Sequence, residues 1–308
     1  MLRSVFIALS QNRTLRKFAE RSAIGRTMSG RFVAGMTIEE ALTASERMNR
    51  EGIAVTLDAL GESVTTEAEA RASADVYHQM LDAIAARGLN ANVSVKLSQM
   101  GMDFDQALAE RIVGEMVEHA SQVNSFVRID MEGSPYTEAT IAITERLQAR
   151  SDGKGNGRVG TVLQAYLFRT ANDAERLLGQ GIRIRLCKGA YKEPPDIAFP
   201  LKSDVDANYV KLAQRMMTSG VFCGMATHDE AIVEKLLAFV RERSVPKSAF
   251  EFQMLYGIRR DLQRRLVKLG FGVRVYVPFG PEWYPYFMRR LAERPANVLF
   301  LVKNFFKS

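Results

Sequence analysis

The feature that most constrains this chain is a rhythm. From about residue 50 onward, short apolar runs alternate with stretches of helical periodicity, eight times over. The run Gly52 to Glu62 (GIAVTLDALGE) is apolar and rich in β-branched residues, and it closes at Gly61. Thr65 to Gly88 then sets Val76, Met80 and Ile84 at helical spacing, with a glycine where the helix should stop. VSVKL, FVRIDME, VGTVLQAY, IRIRLCK, VFCGMAT, FEFQML and VRVYVPF repeat the strand signal. Helices are expected around Phe104 to Val123, Thr137 to Ala149 and Ala171 to Gly179, and a closing helix from Trp283. Nearly continuous apolar strands imply a sheet covered on both faces. Eight such units fit a closed barrel better than an open doubly wound sheet. The expected fold class is α/β, a (βα)8 TIM-type barrel, regular or distorted, over residues 46–308. Residues 1–45, helical in character but without a strand, form an arm beside it.

At 308 residues and 47% apolar, the chain can bury one full barrel core. Its net charge of +7 is scattered, without the dense basic blocks of nucleic-acid tails, so no nucleic-acid partner is expected. Cys187 and Cys223 lie inside strand-like runs and read as free buried thiols. No stretch approaches the roughly 20 apolar residues of a membrane span. The Arg-rich N-terminus, with its short apolar run Val5 to Leu9, reads as amphipathic helix rather than signal. The chain is expected in the cytoplasm, with room for peripheral contact at the inner face of the cytoplasmic membrane.

Polar residues interrupt the pattern where a barrel keeps its chemistry, at the C-terminal strand ends. Lys96, Asp130 and Gln164 lie in successive strands; Arg183, Arg185 and Lys188 lie in the fifth. Thr227, His228 and Asp229 end the sixth, with Gln253 in the seventh and Tyr276 in the eighth. Burying so many charges costs several kcal/mol each unless they are paired, so a mixed-charge pocket at the barrel mouth is expected. On the closing helix, Arg289 and Glu293 are four apart and share a face, with Arg290 beside them. An Arg pair is suited to bidentate grip on a carboxylate. GxGxxG, GxxxxGK[ST] and GxSxG fingerprints are all absent, and three histidines with two separated cysteines give no metal cluster. His78 and His119 fall on helices as surface residues. A barrel lyase or aldolase with Lys96 or Lys188 as Schiff-base former leaves the Arg pair unexplained. A basic barrel acting as a binding module would want bland strand ends, the reverse of this pattern.

The segments VSVKLSQMG, RIDMEGS, LQAYLFRT, RIRLCKGAYKE, ATHD, FEFQMLYG and YVPFGPEWYPYFMRRLAE resemble, in order, the signature motifs of the proline dehydrogenase family. They are most similar to its short, single-activity bacterial members. The resemblance runs from about residue 50 to 295 and implies noncovalent FAD and oxidation of L-proline to Δ1-pyrroline-5-carboxylate. It also implies hydride transfer to flavin N5, electrons passed to a membrane quinone, and a separate pyrroline-5-carboxylate dehydrogenase as a candidate partner. By that resemblance Lys96, Arg289 and Arg290 hold the proline carboxylate and Glu293 supports the Arg pair. Tyr276 and Leu255 pack on the proline ring. Asp130 fixes Lys96 or an arginine near the substrate. Met131, Gln164, Arg185, Lys188, Gly189, Ala190, Thr227 and His228 line the FAD. Asp130 and Arg185 are the catalytic candidates, Arg185 by favouring electron-rich flavin, and the amine proton goes to solvent or to Asp130. A tyrosine over the ring at 276 leaves little room for a 4-hydroxyl, so proline should be preferred over hydroxyproline. The loop Glu193 to Asp204, with three prolines, reads equally as a lid or as a rigid connection.

Overall fold

The computed structural model describes residues 30–61, 64–151 and 157–293. Eight parallel strands close on themselves in sequence order, β1 to β8, with β1 hydrogen-bonded to both β2 and β8. They span Ala54–Ala59, Ala91–Val95, Val127–Ile129, Val159–Gln164, Arg183–Cys187, Cys223–Ala226, Phe250–Leu255 and Gly272–Phe279. Helices α1 to α9 span Ile38–Arg50, Glu67–Ala86, Gln106–Gln122, Thr137–Ser151, Thr170–Gly179, Lys202–Met217, Glu230–Arg243, Arg260–Lys268 and Trp283–Glu293. The (βα)8 barrel read from the sequence is therefore the fold, with every expected strand in place. Most of the arm, residues 1–29, lies outside the described residues. Its described end enters the sheet region, where Ala34 N donates to Pro278 O at 2.9 Å.

Local chemistry sets the helix starts. α1 opens with a capping box, the Thr37 hydroxyl accepting from Glu40 N at 3.3 Å and Glu40 Oε2 accepting from Thr37 N at 3.0 Å. Its buried face is Ala41, Leu42, Ala44 and Ser45, the first three in the main core, so this helix straddles the expected boundary at residue 45 as a continuous element. Asp229 caps α7, accepting from Ala231 N at 3.2 Å.

Strand alternation divides each strand between two environments. Val55 and Leu57, Val93 and Val95, and Val275 and Val277 pack in the core with the helices. The alternate positions turn inward: Thr56 and Asp58, Asn92 and Ser94, Arg128 and Asp130, Glu251 and Gln253. A hydrogen bond across the barrel proves it, since Asp130, just past β3, meets Tyr276 on β8. The barrel interior is thus a stack of polar layers inside an apolar shell.

One expectation is corrected here. Arg183 does not belong to the mouth. It opens β5 at the N-terminal end of the barrel, its guanidinium over the rings of Phe126 (5.3 Å) and Phe222 (5.8 Å). Two residues along a strand share a face but differ in height by about 6–7 Å, which separates Arg183 from Arg185.

A second apolar cluster closes one side of the C-terminal mouth. Trp283, Tyr284, Tyr286, Phe287 and Met288 of α9 pack with Phe32, Val33, Leu60 and Ile258, and Leu255 leans on the same cluster. Leu60 follows β1 and Ile258 follows β7, so α9 is held across that end of the barrel.

Candidate active site at the barrel mouth

The strand ends bring together most of what the sequence singles out. Asp130, just past β3, is the centre. Its Oδ1 accepts from Ser94 Oγ at 2.7 Å and from an Arg185 guanidinium nitrogen at 2.8 Å. Its Oδ2 accepts from the Tyr276 hydroxyl at 2.7 Å. Arg185 lies with its guanidinium carbon 5.2 Å from the centre of the Tyr276 ring, and its Nε donates to Gln253 Oε1 at 2.6 Å. Burial, then the charges of Asp130 and Asp58, push the Tyr276 hydroxyl well above its ordinary range, so it stays a donor. Tyr276 and Arg185 are fixed by the same carboxylate, in a tight charge-assisted cluster.

Lys96 takes a different partner. Its Nζ lies 3.1 and 3.3 Å from the two oxygens of Asp58 on β1. Of the two groups expected near Asp130, Lys96 and an arginine, its carboxylate bonds the arginine, Arg185. Asp58 is the residue the sequence reading missed. It is 1% exposed, and the Tyr77 hydroxyl, which donates to Gln99 Oε1 at 3.2 Å, is 3.5 Å from it. Burial pushes the Asp58 carboxyl up, Lys96 draws it back and Asp130 pushes it further. A lone aspartate inside VTLDAL, two residues after Thr56, carries the parity of the inward face, and that was the available signal.

On the other side of the mouth, Gln164 is buried and bridges two loops. Its Nε2 donates to Glu132 O at 2.9 Å and its Oε1 accepts from Ala190 N at 3.4 Å. Lys188 Nζ contacts Asp229 Oδ2 at 2.8 Å and Asp206 Oδ1 at 2.5 Å, so its charge is shared between two carboxylates. The lysine in turn holds the Asp229 carboxyl below its usual range. Gly189 sits at φ +124° with its backbone against the Tyr166 ring, where a Cβ would lie 2.4 Å from a ring carbon. Only glycine tolerates both that conformation and that contact. His228 accepts from Leu255 N at 2.8 Å, which fixes its ring, and Thr227 and Met131 are buried nearby on their strand ends. Exposed apolar side chains in the loops after β4 and β5, Phe168, Tyr191 and Leu201, were not foreseen.

The donor set fits a large anionic cofactor with an aromatic ring. It offers one deeply held guanidinium, a lysine, a glycine-bearing turn, and apolar Met131 and Leu255. Asp206 and Asp229 offset Lys188, so a pyrophosphate there must rely on backbone amides as much as on that charge. Burial pushes the Cys187 thiol up to about 12, and Cys223 is also raised by burial, so both cysteines are free protonated thiols. The loop from Glu193 is tied down. Glu193 accepts from Ser134 N at 2.8 Å and Ser134 Oγ at 2.5 Å, and Phe168 N donates to Ile197 O at 3.0 Å. Arg289, Arg290 and Glu293 occupy the last turns of α9, and their side chains lie outside the described residues. His78 and His119 are half-buried and stacked on each other rather than simply exposed, with Nδ1 atoms 2.7 Å apart. Among the described residues, no group of three or more His, Cys, Asp or Glu is placed to hold a metal ion.

Comparison with known proteins identifies the family. The family model described as Proline dehydrogenase matches residues 41–303. Proline dehydrogenase 1 of Bacillus subtilis (strain 168) is 42% identical over 308 residues, covering all of both chains. Proline dehydrogenase of Deinococcus radiodurans is 40% identical over 287 residues, 91% of this chain and 90% of that one. Proline utilization A (PutA) from Bdellovibrio bacteriovorus superposes with a TM-score of 0.83 at 23% identity, over 95% of this chain. This chain spans 36% of that larger one, and the likeness bears on the fold alone. The ordered motifs, the closed barrel and the full-length relatives converge, and the chain belongs to the proline dehydrogenase family.

Proposed function

We propose that this chain catalyses the first step of proline catabolism, oxidising L-proline to Δ1-pyrroline-5-carboxylate. The observation that carries the reading is the Arg185–Asp130–Tyr276 cluster at the mouth, with the Lys96–Asp58 pair beside it. In this reading Lys96, Arg289 and Arg290 grip the substrate carboxylate, with Glu293 steadying the arginines. Asp58 holds the Lys96 ammonium in place at the edge of the mouth. Three charge-assisted contacts on one carboxylate in a closed site fix the ring in one orientation. Tyr276 and Leu255 form the wall against which the ring packs. Tyr276 cannot swing aside without giving up its bond to Asp130, which supports exclusion of a 4-hydroxyl.

Noncovalently bound FAD supplies the acceptor for the hydride at N5. Met131, Gln164, Arg185, Lys188, Gly189, Ala190, Thr227 and His228 would hold it, Arg185 placing positive charge beside the ring system. The substrate amine must give up its proton as its lone pair forms the C=N bond. Asp130 already accepts from three donors, so it serves as the fixed anchor and the proton leaves to solvent. Electrons go on to a quinone. The net charge of +7, and the absence among the described residues of a helix able to cross a membrane, support peripheral contact at a membrane surface from the cytoplasmic side. A separate pyrroline-5-carboxylate dehydrogenase is the partner chemistry this product calls for.

The absorbance spectrum of the purified protein, before and after anaerobic L-proline, tests the reading. Flavin bands near about 380 and 450 nm should bleach. Bands that persist would reject proline as substrate, and a colourless protein that FAD cannot reconstitute would reject the flavin. Proline should exceed hydroxyproline in kcat/KM, and equal values would remove Tyr276 as the discriminating wall.

A further inference from the structure

Arg185 has two anchors of different kinds. One is Asp130, a full negative charge. The other is Gln253, a neutral amide deep in the barrel, whose Oε1 accepts from Arg185 Nε at 2.6 Å. An amide has a donor end and an acceptor end, and something must decide which end faces the arginine. Below it, Gln253 Nε2 donates to Glu251 Oε1 at 2.7 Å, and the same oxygen accepts from Arg274 Nε at 2.6 Å. Arg274 is held in turn by Val55 O at 2.7 Å and Asn92 Oδ1 at 3.0 Å. Glu251 and Gln253 are each 5% exposed and Arg185 is 6% exposed, so water does not relax the arrangement. A carboxylate only accepts and a guanidinium only donates, so one amide orientation satisfies both neighbours and the turned-over one opposes both. Room for the amide is made by Gly224, where a Cβ would lie 2.2 Å from Gln253 Nε2.

We propose that Gln253, oriented by Glu251, is a positioning residue that anchors Arg185 through a neutral acceptor and so leaves the guanidinium charge available to the redox ring. This rests on the flavin reading above. A carboxylate in place of Gln253 would hold Arg185 equally well but would set a second negative charge against it beside Asp130. Glu251 supplies orientation from two residues further down the strand, where its own charge is met by Arg274.

Two readouts separate the anchor from the charge. The first is the Arg185 Nε–H resonance of protein labelled with 15N-arginine, protected from exchange while the bond to Gln253 stands. The second is the midpoint potential of the flavin-loaded enzyme. Gln253→Met should abolish the protected resonance. The exchange variant Gln253→Glu/Glu251→Gln keeps every donor matched to an acceptor and keeps the total charge. It should retain the resonance yet lower the flavin reduction equilibrium about tenfold, which is about 30 mV for a two-electron couple. Should Gln253→Met not fold, Glu251→Gln, which frees the amide to turn over, should weaken the same resonance. A resonance that survives unweakened in Gln253→Met or in Glu251→Gln overturns the anchor. An unchanged potential in the exchange variant overturns the neutral-acceptor role. Wild-type protein that binds no flavin overturns the flavin reading and the charge role with it, while the resonance still decides the anchor.

Discussion

The Lys96–Asp58 pair allows a quantitative test of what holds this side of the barrel mouth together. The atoms are 3.1 Å apart, and the side chains are 14% and 1% exposed. At an effective dielectric of about 20, that separation gives a gross attraction of about 5 kcal/mol. Much of this offsets the desolvation of the two ions, so the pair itself adds little, but removing one partner takes away the charge set against the other. Asp58→Asn keeps the volume and the Tyr77 contact while removing the Asp58 charge that faces the ammonium, which costs about 3–5 kcal/mol. For a chain of 308 residues the unfolding entropy is about 0.65 kcal/mol per kelvin, so Tm should fall by roughly 5–8 °C. Lys96→Met should lose a similar amount near neutral pH. The double variant Asp58→Asn/Lys96→Met should recover most of the loss, with a coupling energy of at least about 2 kcal/mol in the cycle. Lys96→Met carries a second signature. Burial already holds the Asp58 carboxyl up, and loss of the ammonium raises it further, so the native state takes a proton that the unfolded chain at about 3.9 refuses. Its deficit should therefore shrink as pH falls from about 7 toward 4. Thermal unfolding of the four proteins across that range is the assay. Additive losses, or a Lys96→Met deficit independent of pH, would show that the two side chains are neighbours without being coupled.

Gly189→Ala should cost about 2–5 kcal/mol, from left-handed backbone strain and from the clash with the Tyr166 ring; a Tm within about 1 °C of wild type would refute the packing argument. Arg289→Ala and Arg290→Ala should each weaken proline binding by about 2–4 kcal/mol, read as a raised KM, and an unchanged KM would remove that side chain from the clamp. His78 is held below its usual range by burial and then by the charge of His119, so its unfolded form, near about 6.5, binds a proton that the native form resists. Its contribution is complete above that value and is lost as pH falls below it. Wild-type Tm should drop between about pH 7.5 and 5.5 by more than that of His78→Gln, and equal drops would rule the residue out as the source.

The fold was legible because its strands are covered on both faces. VSVKL or VRVYVPF stand out as apolar blocks, and α2 and α3 show their buried rows at helical spacing. Side-chain height within the barrel was not legible. Arg183 and Arg185 have the same parity in IRIRLC, yet one faces Phe126 and Phe222 at the base while the other meets Asp130 near the top. Asp58 escaped notice because a single aspartate in an apolar run draws attention only when its partner on the neighbouring strand is known. The stacking of His78 on His119 depends on how α2 lies against α3, which no local pattern encodes. The roles read for Asp130 and Tyr276 rested on motif order, and the structure adds the mutual bond between them, which spacing in the chain does not reveal.

Asp229 starts α7 by capping Ala231 N through one oxygen and engages Lys188 through the other. One carboxylate thus belongs to two ledgers, the nucleation of a helix and the electrostatics of the barrel mouth around Lys188. A substitution screen scored on activity alone would rank this position with the chemistry, and a screen scored on expression would rank it with the scaffold. Asn at 229 would keep the cap and weaken the hold on the lysine. An engineer wishing to retune the charge of the mouth without loosening the barrel would begin there.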